Sequence, residues 1–466
     1  MGSVKNYNID MTHGPLFGKI VRFSIPLMSS YVMQMLFGTV DLVVIGRFAS
    51  SEAMAAVGAT SGLTTLVLNI FFGLSVGVNV LTARYIGAKD PENTADTIHT
   101  AAAVGLYGGL MMAAIGISLS RFALIRMSTP PEILGASSLY MWIYCASLPF
   151  IILYNFGSSI LRAQGDTRRP LYFMIAGGVV KVLLNLLLVP VFHMDVGGVA
   201  SATLISNAVA AGLTLRVLMT ARDSGRLVWK KVRIHGALFK EMVKIGLPAG
   251  IQGSFFSVSN IVIQSSINSF GPFAIAGNTA AQSLEGLVYV ASSSFYYTAI
   301  SFVGQNHGAR KYKRIVRSIA ISMGCTLVLS VVAGCLCWAF GEPLLGIYNP
   351  DPEVIRWGMI RASILFPTYF LCASMDTISG SLRGLGHSVK PTVVTLMGVC
   401  VFRVGWVLWV FPHFRSMENL MISYPVSWLI VSLVNGSILF FVVRALFRGA
   451  AHPRRRSGYA VVAREK

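Results

Sequence analysis

The chain has 466 residues, 54% of them hydrophobic and 12% charged, and its mean hydropathy is +0.67. A soluble domain carries about 25% charged residues, so a water-facing globule is excluded. The net charge of +20 and a pI near 10.0 would suit a nucleic-acid binder, but the bases fall in the loops between apolar runs, and no nucleic-acid partner is expected.

Twelve apolar segments near the ~20 residues that carry a helix across a bilayer core are predicted at 20–45, 53–80, 96–118, 133–160, 170–191, 196–218, 241–267, 276–303, 315–340, 355–382, 391–412 and 419–444. Ten-residue alternating strands, the mark of a barrel, do not occur. The leading residues MGSVKNYNIDMTHGPLFGK contain no short apolar stretch with a cleavage site, so no cleaved leader is expected. The N-terminus and every second loop hold 30 of the 38 Lys and Arg residues, the opposite loops hold Arg47, Arg121, Arg126, Arg356, Arg361 and Arg415, and two bases fall inside spans. That asymmetry predicts cytoplasmic termini in the cell (inner) membrane. The basic tail from 448 reads as a retention signal and a contact for anionic headgroups. All six cysteines sit in apolar segments, without metal-ligand spacing, and no metal is expected.

The chain also repeats itself. ILRAQGDTRRP (160 to 170) lies over SLRGLGHSVKP (381 to 391) at an offset of 221, as do Gly87 and Gly308, and Pro131 and Pro352. Two homologous six-helix bundles follow: an N-lobe at 1–219, a cytoplasmic linker at 220–239, a C-lobe at 240–447 and the basic tail at 448–466. Six spans per copy give both copies one orientation, the parallel-repeat plan of transporters that bind near the bilayer midplane and alternate access by rocking.

The stretches PLMSSYVMQMLFGTVDLVVIGRF (26 to 48), TARYIGAKD (82 to 90), ILRAQGDTRRP, VGGVASATLIS (196 to 206) and SLRGLGHSVKP together resemble the multidrug and toxic compound extrusion (MATE) family of cation-coupled efflux antiporters. The resemblance implies an all-α, twelve-helix fold in two bundles, outward export of small organic substrates by a monomer, and H⁺ or Na⁺ as the driving ion, with no other cofactor. In that family an acidic residue at the place of Asp41 is associated with cation coupling, together with an Asn and an Asp four residues apart in the fifth span. Here those two positions are Lys181 and Asn185, and the matching sixth-span polar position is Thr203.

Ionisable groups inside a membrane are functional candidates, and five are predicted there: Asp41, Lys181, Glu285, Asp376 and Arg403. Asp41 and Lys181 are expected to form an ion pair, either a switch or a self-neutralising lock. Glu285, Asp376 and Arg403 are expected to converge in the C-lobe, with Arg383 as an alternative partner for Asp376. Sodium-using members of the family place acids in the seventh and tenth spans; Asp376 fits the tenth, whereas the seventh offers Gln252, Asn260 and Gln264. Gln34, Asn69, Gln252, Gln264, Asn278, Gln282 and Tyr369 are the candidates for lining a substrate cavity.

No zinc-protease motif or nucleophile elbow lies in the spans, and no phosphate-binding loop in the linker, so neither an enzyme nor a nucleotide-driven pump is expected. The alternative is a lipid-linked oligosaccharide flippase of the same superfamily, which would expose a strongly cationic cavity. Two embedded bases against three acids favour the exporter.

Overall fold

Short polar and proline punctuation sets the helix ends. Ser50 Oγ accepts the Ala53 amide at 3.1 Å and donates to Asp195 at 2.8 Å, closing the first inter-helix turn. Lys89 takes a left-handed φ of 56° to stop one helix, and Asp90, followed by Pro91, caps the next. In the computed structural model, which describes residues 7–221 and 225–451, this yields twelve long helices. They are α1 Leu16–Phe48, α2 Ser51–Ala88, α3 Pro91–Arg126, α4 Pro131–Ala163, α5 Arg168–Leu188 and α6 Asp195–Thr220, then α7 Gly236–Asn268, α8 Pro272–Gly308, α9 Tyr312–Ala339, α10 Pro352–Gly384, α11 Val389–Val410 and α12 Met417–Ala451. A two-turn helix, Gly341–Tyr348, joins α9 to α10. No strand occurs among the described residues.

Eleven of the twelve are long and apolar enough to cross a membrane. The exception, α7, has 33 residues. Its polar run from Gln252 through Asn260 and Gln264 to Asn268 lowers its hydropathy, and Gln252, Gln264 and Asn268 are hydrogen-bonded. The expected basic tail beyond 451, and Arg222 of the linker, lie outside the described residues.

The duplication is visible in the backbone. Helices α4 and α10 both begin on a proline and both run for 33 residues, their ends separated by the same offset of 221. Lys89 and Arg310, at that offset, share a positive φ of 56° and 55°, and Gly165 and Gly386 share 95° and 87°. At Gly165 a Cβ would lie 2.4 Å from the Ile9 carbonyl oxygen, so both the φ and the close approach require glycine.

By internal contacts the chain divides into two compact units. One comprises the residues up to Asp10 and Ile25–Gly250; the other comprises Met11–Ser24 and Ile251 onward. The expected lobes divide at a linker, 220–239, whereas by internal contacts the chain changes unit inside α7 at Gly250 and also inside α1 at Ser24. The reason is local packing. In the first unit Gly246 and Gly250 of α7 meet Gly73, Leu74 and Ile70 of α2 backbone to backbone; a Cβ on Gly73 would lie 2.1 Å from the Gly250 nitrogen. Small residues permit such contacts between helices in lipid. In the second unit Phe23 of α1 packs edge-on against Phe302 at 5.5 Å, and Ser24 Oγ bonds Thr298 Oγ1 at 2.9 Å. Arg314 binds the carbonyls of Met11, His13 and Gly14.

Gly73→Ala is therefore expected to lower stability by at least about 1–3 kcal/mol, the usual cost of overpacking. Gly58→Ala, where nothing lies within 4 Å of the added methyl, should leave it unchanged. Heating detergent-purified protein and following loss of the monodisperse peak on size exclusion compares the two.

Candidate functional site

Each unit encloses a polar cavity. In the first, α1, α5 and α6 supply Gln34, Asp41, Lys181, Thr203 and Asn207 to a space of about 460 Å³, also lined by Tyr140 and Tyr144. Asp41 is held from two sides. Lys181 Nζ donates to Oδ2 in a short ion pair, and Asn185 Nδ2 donates to Oδ1 at 2.8 Å. Lys181 and Asn185 are four residues apart on α5 and so share a helix face. The side chains of the pair are about one-fifth exposed, which makes the interaction worth more than the ~0–1 kcal/mol of a surface pair. Thr203 Oγ1 bonds the Val199 carbonyl at 3.0 Å; it lines the cavity without joining the trio. Asn69 is half-buried on α2 and is not among the lining residues.

The second cavity, about 170 Å³, brings Glu285 (α8), Asp376 (α10) and Arg403 (α11) together with Asn260, Tyr289, Tyr369, Tyr424 and Trp428. The expected convergence is therefore present, but the pairing differs from the expectation. Arg361, assigned above to an outer loop, lies inside α10 and is 3% exposed. Its Nη2 and Nε both reach Glu285 Oε2, at 2.6 and 3.1 Å. Its Nη1 reaches Asn278 Oδ1 at 2.7 Å, Asn278 Nδ2 donates to Gln264 at 3.2 Å, and Gln264 donates to Asn268 at 2.9 Å. Glu285, Asn278 and Gln264 thus form one hydrogen-bonded chain around a buried arginine.

Arg383 was likewise counted as a loop base; it lies in the last turn of α10, 4% exposed. It does not pair with Asp376. Its guanidinium bonds the Tyr296 hydroxyl, Gln252 Oε1 at 2.8 Å and Thr392 Oγ1 at 3.3 Å. Asp376 instead accepts from Ser292 Oγ at 2.8 Å. Arg403 stacks over Tyr424 at 4.0 Å and donates from Nε to Ser427 Oγ at 2.9 Å. Tyr369 is 3% exposed, edge-on to Trp428 at 5.3 Å. Gln282 is exposed and lines neither cavity.

Arg361 and Arg383 alter the embedded charge count. The second unit holds three buried arginines, with Glu285 and Asp376 as the embedded acids, so charge sign no longer separates an exporter from a flippase. A signal for Arg361 was present in the sequence, since Glu285 and Asn278 fall two turns apart on one helix face and offer a buried base two acceptors.

Two homologous bundles, each with a charged cavity and spans long enough for a bilayer, define a membrane transporter of the duplicated-repeat class. The MatE family model matches residues 26–187 and 248–407, one stretch in each half. The chain belongs to that family, and it is a MATE efflux transporter. It is similar to the probable multidrug resistance protein YoeA of Bacillus subtilis, 26% identical over 422 residues, 88% of this chain and 91% of that protein. It is also similar to the probable multidrug resistance protein NorM of Thermotoga maritima, 26% identical over 83% of this chain and 84% of that one. Its fold matches the outward-facing structure of a multidrug resistance MATE family transporter of the MOP superfamily with a TM-score of 0.88, at 20% identity, over 95% of this chain and 99% of that chain. The matched relatives are transporters, not enzymes.

Proposed function

We propose that the chain is a cation-coupled antiporter that exports organic, chiefly cationic, drugs or metabolites by alternating access, across the cell (inner) membrane and with both termini in the cytoplasm. The observation that carries this reading is the Asp41–Lys181–Asn185 trio at the wall of the first cavity. A carboxylate held by an ammonium group can be paired, or can take a proton and release the ammonium to other partners. A proton arriving at Asp41 breaks the pair, frees Lys181, and changes how α1 is tied to α5. That is a local charge event that biases a two-state element, as ion coupling requires.

The same geometry favours H⁺ over Na⁺ as the coupling ion. A sodium ion at Asp41 would sit against the like charge of Lys181, whereas a proton adds to the carboxyl group itself. The relatives' drug-resistance names support organic substrates over lipid-linked oligosaccharides, and the aromatic walls of both cavities suit organic cations.

Purified protein in liposomes loaded with ethidium tests the proposal. Export is expected to be driven by an imposed proton gradient and to respond weakly to a sodium gradient. Stimulation by neither, combined with scrambling of a labelled polyprenyl lipid, would replace the exporter with the flippase.

A further inference from the structure

The second cavity holds a charge without a counter-charge. Arg403 is 4% exposed, and of its five N–H donors the Nε–H goes to Ser427 while Nη2 is buried with no hydrogen-bond partner among the described residues. The ring faces of Tyr424 at 4.0 Å and Trp428 at 5.6 Å attract the guanidinium but take no hydrogen bond from its outer edge. Glu285 lines the same cavity, but its Oε2 takes both hydrogen bonds from Arg361, and no ion pair joins it to Arg403 among the described residues. Asp376 lines the same cavity. Among the described residues no ion pair reaches Asp376 or Arg403, and Asp376 accepts from the neutral hydroxyl of Ser292. An unpaired buried arginine is costly in a membrane interior unless something satisfies it.

The cavity is thus lined by one guanidinium with an unfilled N–H group at its outer edge and by one carboxylate, neither of them in an ion pair, among Tyr289, Tyr369, Tyr424 and Trp428. A planar fork matches a carboxylate in bidentate geometry. A carboxylate beside aromatic faces matches an ammonium, and a quaternary one in particular. At about 170 Å³ the space is well below the ~300 Å³ at which sites for drug-sized ligands begin. A ligand carrying both charges is net neutral, so it satisfies both groups without adding charge to the membrane interior.

We propose that this cavity is a binding site for a small zwitterion, its carboxylate on the outer edge of Arg403 and its ammonium against Asp376 and the tyrosine rings. The assignment rests on the reading of the chain as an exporter of small organic solutes, and it names a substrate class for the second unit.

Glycine betaine is the probe. With the full chain in nanodiscs, scintillation proximity is expected to give saturable binding of radiolabelled betaine. Choline, which lacks the carboxylate, and tert-butylacetate, which lacks the positive charge, should compete at least tenfold less well than unlabelled betaine. Arg403→Gln should weaken betaine binding at least tenfold, with Arg403→Lys intermediate because an ammonium keeps the charge and loses the fork. Absence of saturable binding, choline competing as well as betaine, or wild-type binding by Arg403→Gln would each overturn the assignment. Should Arg403→Gln not purify as a monodisperse species, the competition series on the unaltered chain decides alone. The two readings fail separately: a chain that expels ethidium from liposomes and binds no betaine keeps the exporter reading and loses this one, whereas betaine binding without ethidium export does the reverse.

Discussion

Arg361→Met is expected to be the most damaging single substitution in the second unit. It deletes the partner of a carboxylate whose side chain is 14% exposed, from a pair in which the arginine is 4% exposed. Removing one member of a buried pair costs about 3–5 kcal/mol, since the remaining charge stays buried and uncompensated. At about 2–4 °C per kcal/mol for a unit of this size, the apparent melting temperature should fall by roughly 6–20 °C. Asn278 would lose its 2.7 Å donor as well, so the chain through Gln264 to Asn268 should loosen with it. The double variant Arg361→Met with Glu285→Gln discriminates between causes. If the damage is electrostatic, neutralising Glu285 recovers most of the loss; if it comes from the guanidinium's packing against Tyr424 at 5.4 Å, the double variant stays as unstable as the single. Thermal denaturation of detergent-purified protein, read by loss of the monodisperse peak, gives both values.

The spans and their duplication were readable because they depend on properties that sequence displays directly: apolar length and matched turn residues. Gly165 and Gly386 align at an offset of 221, and both take the left-handed backbone that the matched turns require. The Asp41–Lys181 pair was readable for a different reason. Two opposite charges inside spans must be compensated, and within the first half each was the other's main recourse. Arg361 was misplaced because a base in the opening turns of the span predicted from 355 reads as belonging to the loop before it, whereas the helix begins at Pro352 and carries Arg361 into the bundle. The division inside α7 was unreadable, because it depends on glycines of α2 and α7 meeting in space, and a glycine in a helix does not announce what it faces. Gln282 shows the same limit. Its polarity marked it as a cavity candidate, but helix phase turned it outward.

Lys181→Met should leave the protein folded and alter its coupling. Asp41 would keep the Asn185 amide at 2.8 Å and lose the ammonium, in a site about one-fifth exposed where water softens the penalty of an unpaired carboxylate. The dependence of ethidium export on an imposed proton gradient should therefore depart from wild type, since the ion pair that ties α1 to α5 is gone. Lys181→Arg, which preserves the pair, should keep the wild-type profile. Asp41→Asn removes the carboxylate and should abolish the dependence of export on the proton gradient, with or without Lys181→Met. A profile in Lys181→Met that coincides with wild type would reduce the pair to a structural lock, since a proton that must displace the ammonium cannot be indifferent to its removal.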